Sequence, residues 1–182
     1  MEREFSFARS AKEFVKFLLI ASAIAIPIRY FIAQPFIVKG ASMIPTFENQ
    51  EYLIVDELSY FLREPKRGEV IVFRYPLDSR QFFIKRIVGL PGETVEIEDG
   101  KVKISAEDGK DGRVLDEPYI PKDLRTDGNV KVALGAEAYF VLGDNRMQSS
   151  DSRMWGALPR SLITGRALLR AWPISRAGLL TQ

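Results

Sequence analysis

The sequence predicts a mainly β fold, in which an antiparallel β-sheet domain follows one apolar helix near the N-terminus. Several short segments rich in β-branched and aromatic residues are separated by glycine, proline and aspartate turn signals. Beyond residue 32 no segment has the length of a long helix. Short strands without long helices favour an antiparallel β architecture.

The first element is an apolar helix expected to begin near Ala11, because residues 10–13 fit a capping box. Residues 14–32 read FVKFLLIASAIAIPIRYFI and would rise about 28 Å as a helix, close to the roughly 30 Å hydrocarbon core of a bilayer. We therefore predict a transmembrane anchor over 14–32. The basic residues that precede or enter it are Arg3, Arg9, Lys12 and Lys16. The positive-inside rule then places residues 1–13 in the cytoplasm and residues 33–182 outside.

Two other interpretations of this helix stay open. Its uninterrupted apolar core, Phe17 to Ile28, is short enough for a buried or interfacial helix. The small residues Ala21, Ser22 and Ala23 also suit the end of a cleaved signal peptide, although the apolar stretch continues past them.

The β domain is predicted from its residue patterns. The expected strands are Glu51–Val55, Glu69–Tyr75, Gln81–Val88, Thr94–Glu98, Lys101–Ile104 and Glu137–Leu142. Asp99-Gly100, between two alternating segments, is a strong hairpin signal. Residues 105–116 hold four acids and two glycines and are expected to form an exposed loop. Residues 165–172 fit either a strand or a short helix that Pro173 ends.

The composition limits the chemistry. The chain contains no Cys and no His, which excludes Ser–His and Cys–His mechanisms and the usual zinc sites. A hydrolase with this composition must take its general base from Lys, Asp, Glu or Tyr. The net charge of +2 gives no support for a nucleic-acid partner.

Ser42 is the first candidate residue. It lies in the segment GASMIPTF, between small residues and a proline-containing turn, where its hydroxyl and its backbone N–H are both accessible. A serine in this position is also compatible with a simple cap or turn role.

Lys85 is the second candidate residue, because it lies inside the apolar strand segment FFIKRIV. Strand alternation places Phe83, Lys85 and Ile87 on one face. If that face is buried, desolvation lowers the pKa of the amine, as a lysine general base requires. The alternative is an edge-strand lysine that keeps its charge in water.

The third candidate segment is the polar loop GDNRMQSSDSRMWG, residues 143–156. Ser149 is suited to hydrogen-bond and orient a neutral lysine amine. The charged residues able to pair and brace the loop are Asp144, Arg146, Asp151 and Arg153. A Ca²⁺ site at Asp144, Asn145 and Asp151 is the rival interpretation, but the spacing lacks the ligand alternation of an EF-hand. A solvated turn is the simplest alternative.

Taken in order, these segments resemble the bacterial type I signal peptidases, or leader peptidases. The motifs are Gly-x-Ser-Met-x-Pro-Thr, Lys-Arg-x-x-Gly-x-Pro-Gly and Gly-Asp-Asn-Arg-x-x-Ser-x-Asp-Ser-Arg-x-x-Gly. The resemblance runs from the anchor to about Pro159. It implies that Ser42 is the nucleophile, with its own backbone N–H at the oxyanion hole, and that Lys85 is the general base.

The resemblance also implies supporting roles. Ser149 would orient Lys85, and Asp151 with Arg153 and Arg86 would form structural ion pairs. The expected substrate-binding residues are Phe36, Val38, Met43, Phe83 and Ile84, of which Met43, together with Pro45 and Thr46, would also shape the nucleophile turn. Some members have a serine two residues before the nucleophile, whose hydroxyl joins the oxyanion hole. Here that residue is Gly40, which has no hydroxyl, so backbone N–H groups would have to stabilise the oxyanion.

The implied function is removal of signal peptides from exported preproteins, with cleavage after small residues in an A-x-A-like pattern. The implied location is the bacterial cytoplasmic membrane, crossed once, with membrane lipid and the secretion translocon as partners and with no cofactor, metal or nucleic acid. Two other classes remain: self-cleaving Ser–Lys proteins such as the SOS repressors, and a non-catalytic β domain tethered to the membrane. A relative dedicated to one substrate, such as a conjugation-system peptidase, also fits.

Overall fold

The computed structural model describes residues 12–23, 33–106 and 112–180 of the chain. Residues 12–23 form helix α1. The two other α-helices are α2, Ser59–Leu62, and α3, Ser152–Trp155; short 3-10 helices cover Arg160–Leu162 and Ile174–Arg176. The strands are β1 Ala33–Ile37, β2 Tyr52–Asp56, β3 Val70–Tyr75, β4 Asp78–Gly89, β5 Glu93–Glu98, β6 Lys101–Ala106, β7 Arg113–Val114, β8 Val130–Ala133, β9 Ala138–Leu142, β10 Leu158–Pro159, β11 Ile163–Trp172 and β12 Gly178–Leu179.

Helix α1 covers only part of the predicted anchor. Residues 24–32, and the expected helix start at Ala11, lie outside the described residues. Within the described ranges, no helix combines the length and the apolar character needed to cross a membrane. The side chains of α1 are exposed, with Phe14 at 63%, Phe17 at 65% and Leu19 at 66%, so the alternative of a helix buried in the domain does not fit residues 12–23.

The strands form two antiparallel sheets, which confirms the predicted mainly β architecture. The large sheet has the order β1-β2-β11-β3-β4-β9-β10, and β12 pairs with β11. The small sheet has the order β7-β6-β5-β8. Strand β4 runs through the middle of the domain, since Ile87 packs into the core of the large sheet while the next residue, Val88, packs into the core of the small sheet. Both faces of β4 are therefore covered near its C-terminal end.

The predicted hairpin is present as β5 and β6. Asp99 and Gly100 both have positive φ, 53° and 78°, which is the geometry of the tight turns that match strand twist. Residues 163–172 form a strand, which decides between the two alternatives for this segment. The loop expected over 105–116 is shorter than predicted, because β6 continues to Ala106 and β7 pairs with it at Lys103 and Ile104. Pairing with β7 satisfies backbone groups of β6 that a loop would leave open.

Candidate active site

Ser42 lies on a tight turn that is anchored in the core. The turn, residues 42–46, follows β1, and Phe47 N donates to Met43 O at 2.8 Å. Met43 and Phe47 are 1% and 0% exposed and pack with Val38, Leu53 and other core residues of the large sheet. This packing holds the half-buried Ser42 at the surface of the sheet.

Lys85 is buried on β4 with its amine directed at that serine. Its Nζ donates to Ser42 Oγ and to the Ile84 carbonyl, each at 2.8 Å. The residue is 3% exposed, so it is not a solvated edge-strand lysine. Burial lowers the pKa of the Lys85 amine from 10.5 to about 8, while the negative charges of Asp151 and Asp144 oppose that change. A substantial fraction of the amines is therefore neutral near pH 8, which permits proton abstraction.

A buried ion pair supports the turn from the side of β4. Arg86 donates to Asp144 through Nε at 2.9 Å and through Nη2 at 2.6 Å. Thr46 Oγ1 donates to the same carboxylate at 2.5 Å. Asp144 is fully buried and Arg86 is 5% exposed, so this fork links β4, the 143–146 segment and the Ser42 turn without intervening solvent.

Asn145 holds the backbone of the turn that carries Ser42 directly. Its N–H donates to Ser42 O at 3.0 Å, and its side-chain Nδ2 donates to Ala41 O at 3.0 Å. Sequence reasoning considered Asn145 only as a possible Ca²⁺ ligand. The Gly-Asp-Asn motif was the feature of the sequence that could have indicated a role for Asn145. The motif alone does not predict which backbone groups its side chain contacts.

The ion pairs around the loop differ from those expected. Arg153 donates to Asp151 through Nε at 2.8 Å and Nη2 at 2.9 Å, as the sequence indicated. Arg86 pairs with Asp144 rather than with Asp151, whose Oδ2 instead accepts from Gly143 N at 3.1 Å. Because Asp144 and Asp151 each bind a guanidinium group, the arrangement does not present them as Ca²⁺ ligands.

Ser149 is close to the site but is not bonded to Lys85. Its Oγ is buried and has no hydrogen-bond partner among the described residues. The two hydrogen bonds of Lys85 Nζ go to Ser42 and Ile84 instead. Ser149 Oγ packs against the backbone of Gly143, where an added Cβ would lie 2.2 Å from it. The Ser149–Lys85 hydrogen bond expected from the sequence is therefore not formed in this arrangement.

A groove of about 610 Å³ opens beside Ser42 and Lys85. Of the expected substrate-binding residues, Phe36, Val38, Phe83 and Ile84 line it. Met43 does not line the groove, because it is 1% exposed and packs in the core beneath. The lining residues that sequence reasoning missed are Ile37, Lys39, Leu53, Val72, Gln81, Phe82 and Ser150.

Strands β1 and β4 form the two walls of the groove. They are four positions apart in the sheet, yet the rings of Phe36 and Phe82 meet edge to face with centroids 5.3 Å apart. The sheet therefore curls, and the edge of β1 faces the part of β4 that precedes its pairing with β9 at Arg86. This geometry leaves room for an extended chain between two strand edges.

The chain is similar to known signal peptidases in sequence. A family model described as signal peptidase, peptidase S26, matches residues 11–172. The chain is similar to a probable signal peptidase I-2 from Synechocystis, with 42% identity over 177 residues, 93% of this chain and 77% of that protein. It is also similar to a signal peptidase I from Leptolyngbya laminosa, with 40% identity over 92% of this chain and 83% of that one. A crystal structure of a signal peptidase I from Enterococcus faecalis is 31% identical and covers 57% of this chain and 97% of that chain, with a TM-score of 0.48.

Proposed function

Because the chain belongs to the signal peptidase family, peptidase S26, we propose that it removes signal peptides with Ser42 as nucleophile and Lys85 as general base. Signal peptidases of this family are serine endopeptidases, and so is this chain. The observation that carries the proposal is the 2.8 Å distance between Lys85 Nζ and Ser42 Oγ in a buried setting.

The first half-reaction forms an acyl-enzyme. With the amine neutral, the Ser42 hydroxyl donates its proton to Lys85 Nζ while Oγ attacks the scissile carbonyl carbon. Lys85 then gives that proton to the leaving nitrogen, the C–N bond breaks, and the mature protein departs with a new N-terminus. In the second half-reaction Lys85 takes a proton from water, the hydroxide equivalent attacks the ester, and the proton returns to Ser42 Oγ as the signal peptide leaves.

The oxyanion is stabilised by the backbone of the nucleophile turn. Among the described residues, the Ser42 N–H has no hydrogen-bond partner, so it remains available to an oxyanion. The Gly40 N–H is engaged with Asn49 Oδ1 at 3.0 Å and does not serve as a second donor. One such donor contributes roughly 10²–10³-fold in rate.

The groove selects the substrate by exclusion. An extended signal-peptide end would pair its backbone with the edges of β1 and β4, and its small side chains would enter the apolar groove. Phe36, Val38, Phe83 and Ile84, which line the groove, would form shallow apolar pockets for the first and third positions before the cut, where we expect bulky side chains to clash. This supports cleavage after an A-x-A-like pattern.

The proposed setting is the outer face of the bacterial cytoplasmic membrane. Residues 14–32 would form the single anchor, with residues 1–13 in the cytoplasm and residues 33–182 outside. The exposed apolar side chains of α1 support an environment of lipid, because a water-soluble helix rarely exposes Phe14, Phe17 and Leu19 together. Membrane lipid and the secretion translocon are then the partners beside the preprotein.

The decisive experiment compares single-residue variants on a purified preprotein, with sequencing of the new N-terminus. Ser42→Ala and Lys85→Ala should each lose activity, the latter by roughly 10²–10⁴-fold. Matched controls are Ser79→Ala and Lys101→Ala, which alter the same residue types away from the site. Normal turnover by purified Lys85→Ala would refute the assigned base, and normal turnover by Ser42→Ala would refute the assigned nucleophile. Absence of cleavage by the wild-type protein itself would leave a non-catalytic β domain as the better interpretation.

A further inference from the structure

A charged cluster outside the three motifs lies behind the nucleophile turn. It consists of Glu51, which precedes β2, Arg170 near the end of β11, and Arg176 in the following 3-10 helix, and we name it the Glu51 cluster. Glu51 is 2% exposed. Its Oε2 lies 2.9 Å from Arg170 Nε and its Oε1 lies 3.1 Å from Arg176 Nη1.

Both guanidinium groups of the cluster also reach the backbone of the turn. Arg170 Nη2 donates to the carbonyl of Thr46, and the Arg170 guanidinium carbon lies 5.1 Å from the centroid of the Phe47 ring. Arg176 Nη2 lies 3.5 Å from the carbonyl oxygens of Pro45 and Thr46. The two arginines are joined to each other, since Arg170 Nη1 donates to Arg176 O at 3.4 Å. The end of β11 and the segment after it thus touch the turn that carries Ser42.

Thr46 is consequently held at both its hydroxyl and its carbonyl. Its hydroxyl donates to Asp144, which belongs to the Arg86 ion pair, and its carbonyl accepts from the Glu51 cluster. A buried carboxylate with two cations is costly to desolvate, so it contributes little to stability by comparison with an apolar packing of the same volume. What the cluster supplies is position: the Arg170 guanidinium group forms an ion pair with the buried Glu51 carboxylate, without hydrogen-bond geometry, while its Nη2 donates to the Thr46 carbonyl.

We propose that Glu51, Arg170 and Arg176 are positioning residues that hold the nucleophile turn so that Ser42 Oγ stays within hydrogen-bond reach of Lys85. The inference rests on the proposed roles of Ser42 and Lys85. None of the three residues touches the reacting atoms; they act through the Pro45 and Thr46 carbonyls. Because the hydrogen bond from Phe47 N to Met43 O closes the short turn that carries Ser42 and Thr46, we expect a shift at residue 46 to move Ser42.

The test uses Arg170→Met and Arg170→Lys in the full chain, with Arg166→Met as a matched control. Arg166 lies on the same strand and pairs with one carboxylate, Asp56, at 3.0 Å, but it makes no contact with the nucleophile turn. Arg170→Lys keeps a cation beside Glu51, so it preserves folding while losing the fork. Each variant is measured for kcat, KM and the pH midpoint on one preprotein, below its thermal unfolding temperature.

Arg170→Met and Arg170→Lys should each lower kcat by about tenfold or more, since displacement of a reacting group far from the mutation costs up to roughly 10²-fold. KM and the pH midpoint should change little in these variants, because the groove and the Lys85 surroundings are intact. Arg166→Met should keep kcat within about twofold, since it removes no interaction with the transition state.

The inference is overturned if both Arg170 variants retain the kcat of Arg166→Met, or if their activity falls only in proportion to the unfolded fraction. These results are distinguishable from failure of the proposed function. Activity in Ser42→Ala would refute the assignment of Ser42 as nucleophile and with it the proposed function. An inactive Ser42→Ala together with fully active Arg170 variants would refute only the positioning role.

Discussion

The carbonyl oxygen of Ser42 lies 2.5 Å from the point that a Cβ on Gly143 would occupy. Ser149 Oγ lies 2.2 Å from the same point. Because Asn145 N donates to that Ser42 carbonyl at 3.0 Å, the 143–145 segment must approach the nucleophile turn closely. Only a residue without a side chain permits this approach at position 143, although its backbone is not in the left-handed region.

Gly143→Ala is therefore expected to weaken both the fold and the site. The added methyl group must displace Ser149 or the Ser42 backbone, and overpacking of this kind costs about 1–3 kcal/mol. Chemical denaturation measures the free energy of unfolding, and preprotein cleavage measures the loss of rate. Gly135→Ala is the matched control, because a Cβ there meets nothing within 4 Å. Equal stability and activity in the two variants would contradict the close approach.

The rate of cleavage is expected to rise with pH through about 8. In the proposed mechanism only the neutral Lys85 amine accepts the Ser42 proton, and burial lowers the pKa of that amine to about 8. Below this value the rate should fall tenfold for each pH unit, because one proton must leave. A profile of kcat/KM between about pH 6 and 10 tests this in the free enzyme. A rate that is flat over that range would exclude a titrating amine as the base.

Replacement of Lys85 by methionine is expected to stabilise the protein at neutral pH while removing its activity. The depressed pKa, 10.5 to about 8, means that the charged amine is penalised in the folded state by roughly 3 kcal/mol. Below about pH 8 both states are protonated and the penalty is complete. Between about 8 and 10.5 the unfolded chain binds the extra proton, so wild-type stability rises with pH.

Thermal or denaturant unfolding at several pH values measures this difference. Lys85→Met should exceed wild type most at pH 7 and less as the pH approaches 10. The loss of the hydrogen bonds to Ser42 and Ile84 works in the opposite direction and reduces the gain. A gap between the two proteins that did not depend on pH would show that the amine is not desolvated.

Asp144→Asn is expected to destabilise the fold strongly. It leaves the buried Arg86 guanidinium without its carboxylate, and breaking a buried pair in this way costs about 3–5 kcal/mol. Asp78→Asn is the matched control, because its partner Arg80 is exposed and solvent-exposed pairs of this kind contribute little to stability. Denaturant unfolding of both variants gives the comparison. Similar losses in the two would show that the Asp144 pair is no more important than a surface contact.

Lys39 is expected to influence which charges are accepted near the cut. Among the described residues that line the groove, the charged ones are Lys39 and Lys85, and none is acidic. Lys39 is exposed, so a substrate carboxylate beside it would gain about 0.2–1 kcal/mol, or roughly 1.5- to 5-fold in kcat/KM.

An aspartate and lysine scan from the fourth residue before the cut to the second after it locates the effect. Wild type should favour aspartate over lysine at one of these positions, and Lys39→Glu should reverse that preference. Lys122→Glu changes the net charge equally at an exposed residue outside the groove and should leave the preference unchanged. An identical scan for wild type and Lys39→Glu would contradict the assignment.

Local patterns in the sequence predicted part of the fold and named the two leading candidates, Ser42 and Lys85, but they did not predict β1, β7, β8, β10, β12 or the short helices α2 and α3. Alternation around Asp99-Gly100 predicts the hairpin because turn geometry and strand period depend on neighbouring residues. A local pattern also identified Lys85, because it lies inside the apolar segment FFIKRIV whereas most other lysines of the chain lie among polar or turn residues. The absence of His and Cys then restricted the possible base without any knowledge of the fold.

Only the tertiary structure decided which groups meet. It brought Lys85 to Ser42 across 43 residues, paired Arg86 with Asp144 instead of Asp151, and gave Ser149 Oγ no hydrogen-bond partner within the described part of the chain. It also brought Arg170 to the Thr46 carbonyl across 124 residues, a contact that none of the three sequence motifs predicts. The physical reason is that hydrogen bonds, ion pairs and desolvation depend on distances of a few ångströms, and the curl of the sheet sets those distances only after distant strands have packed.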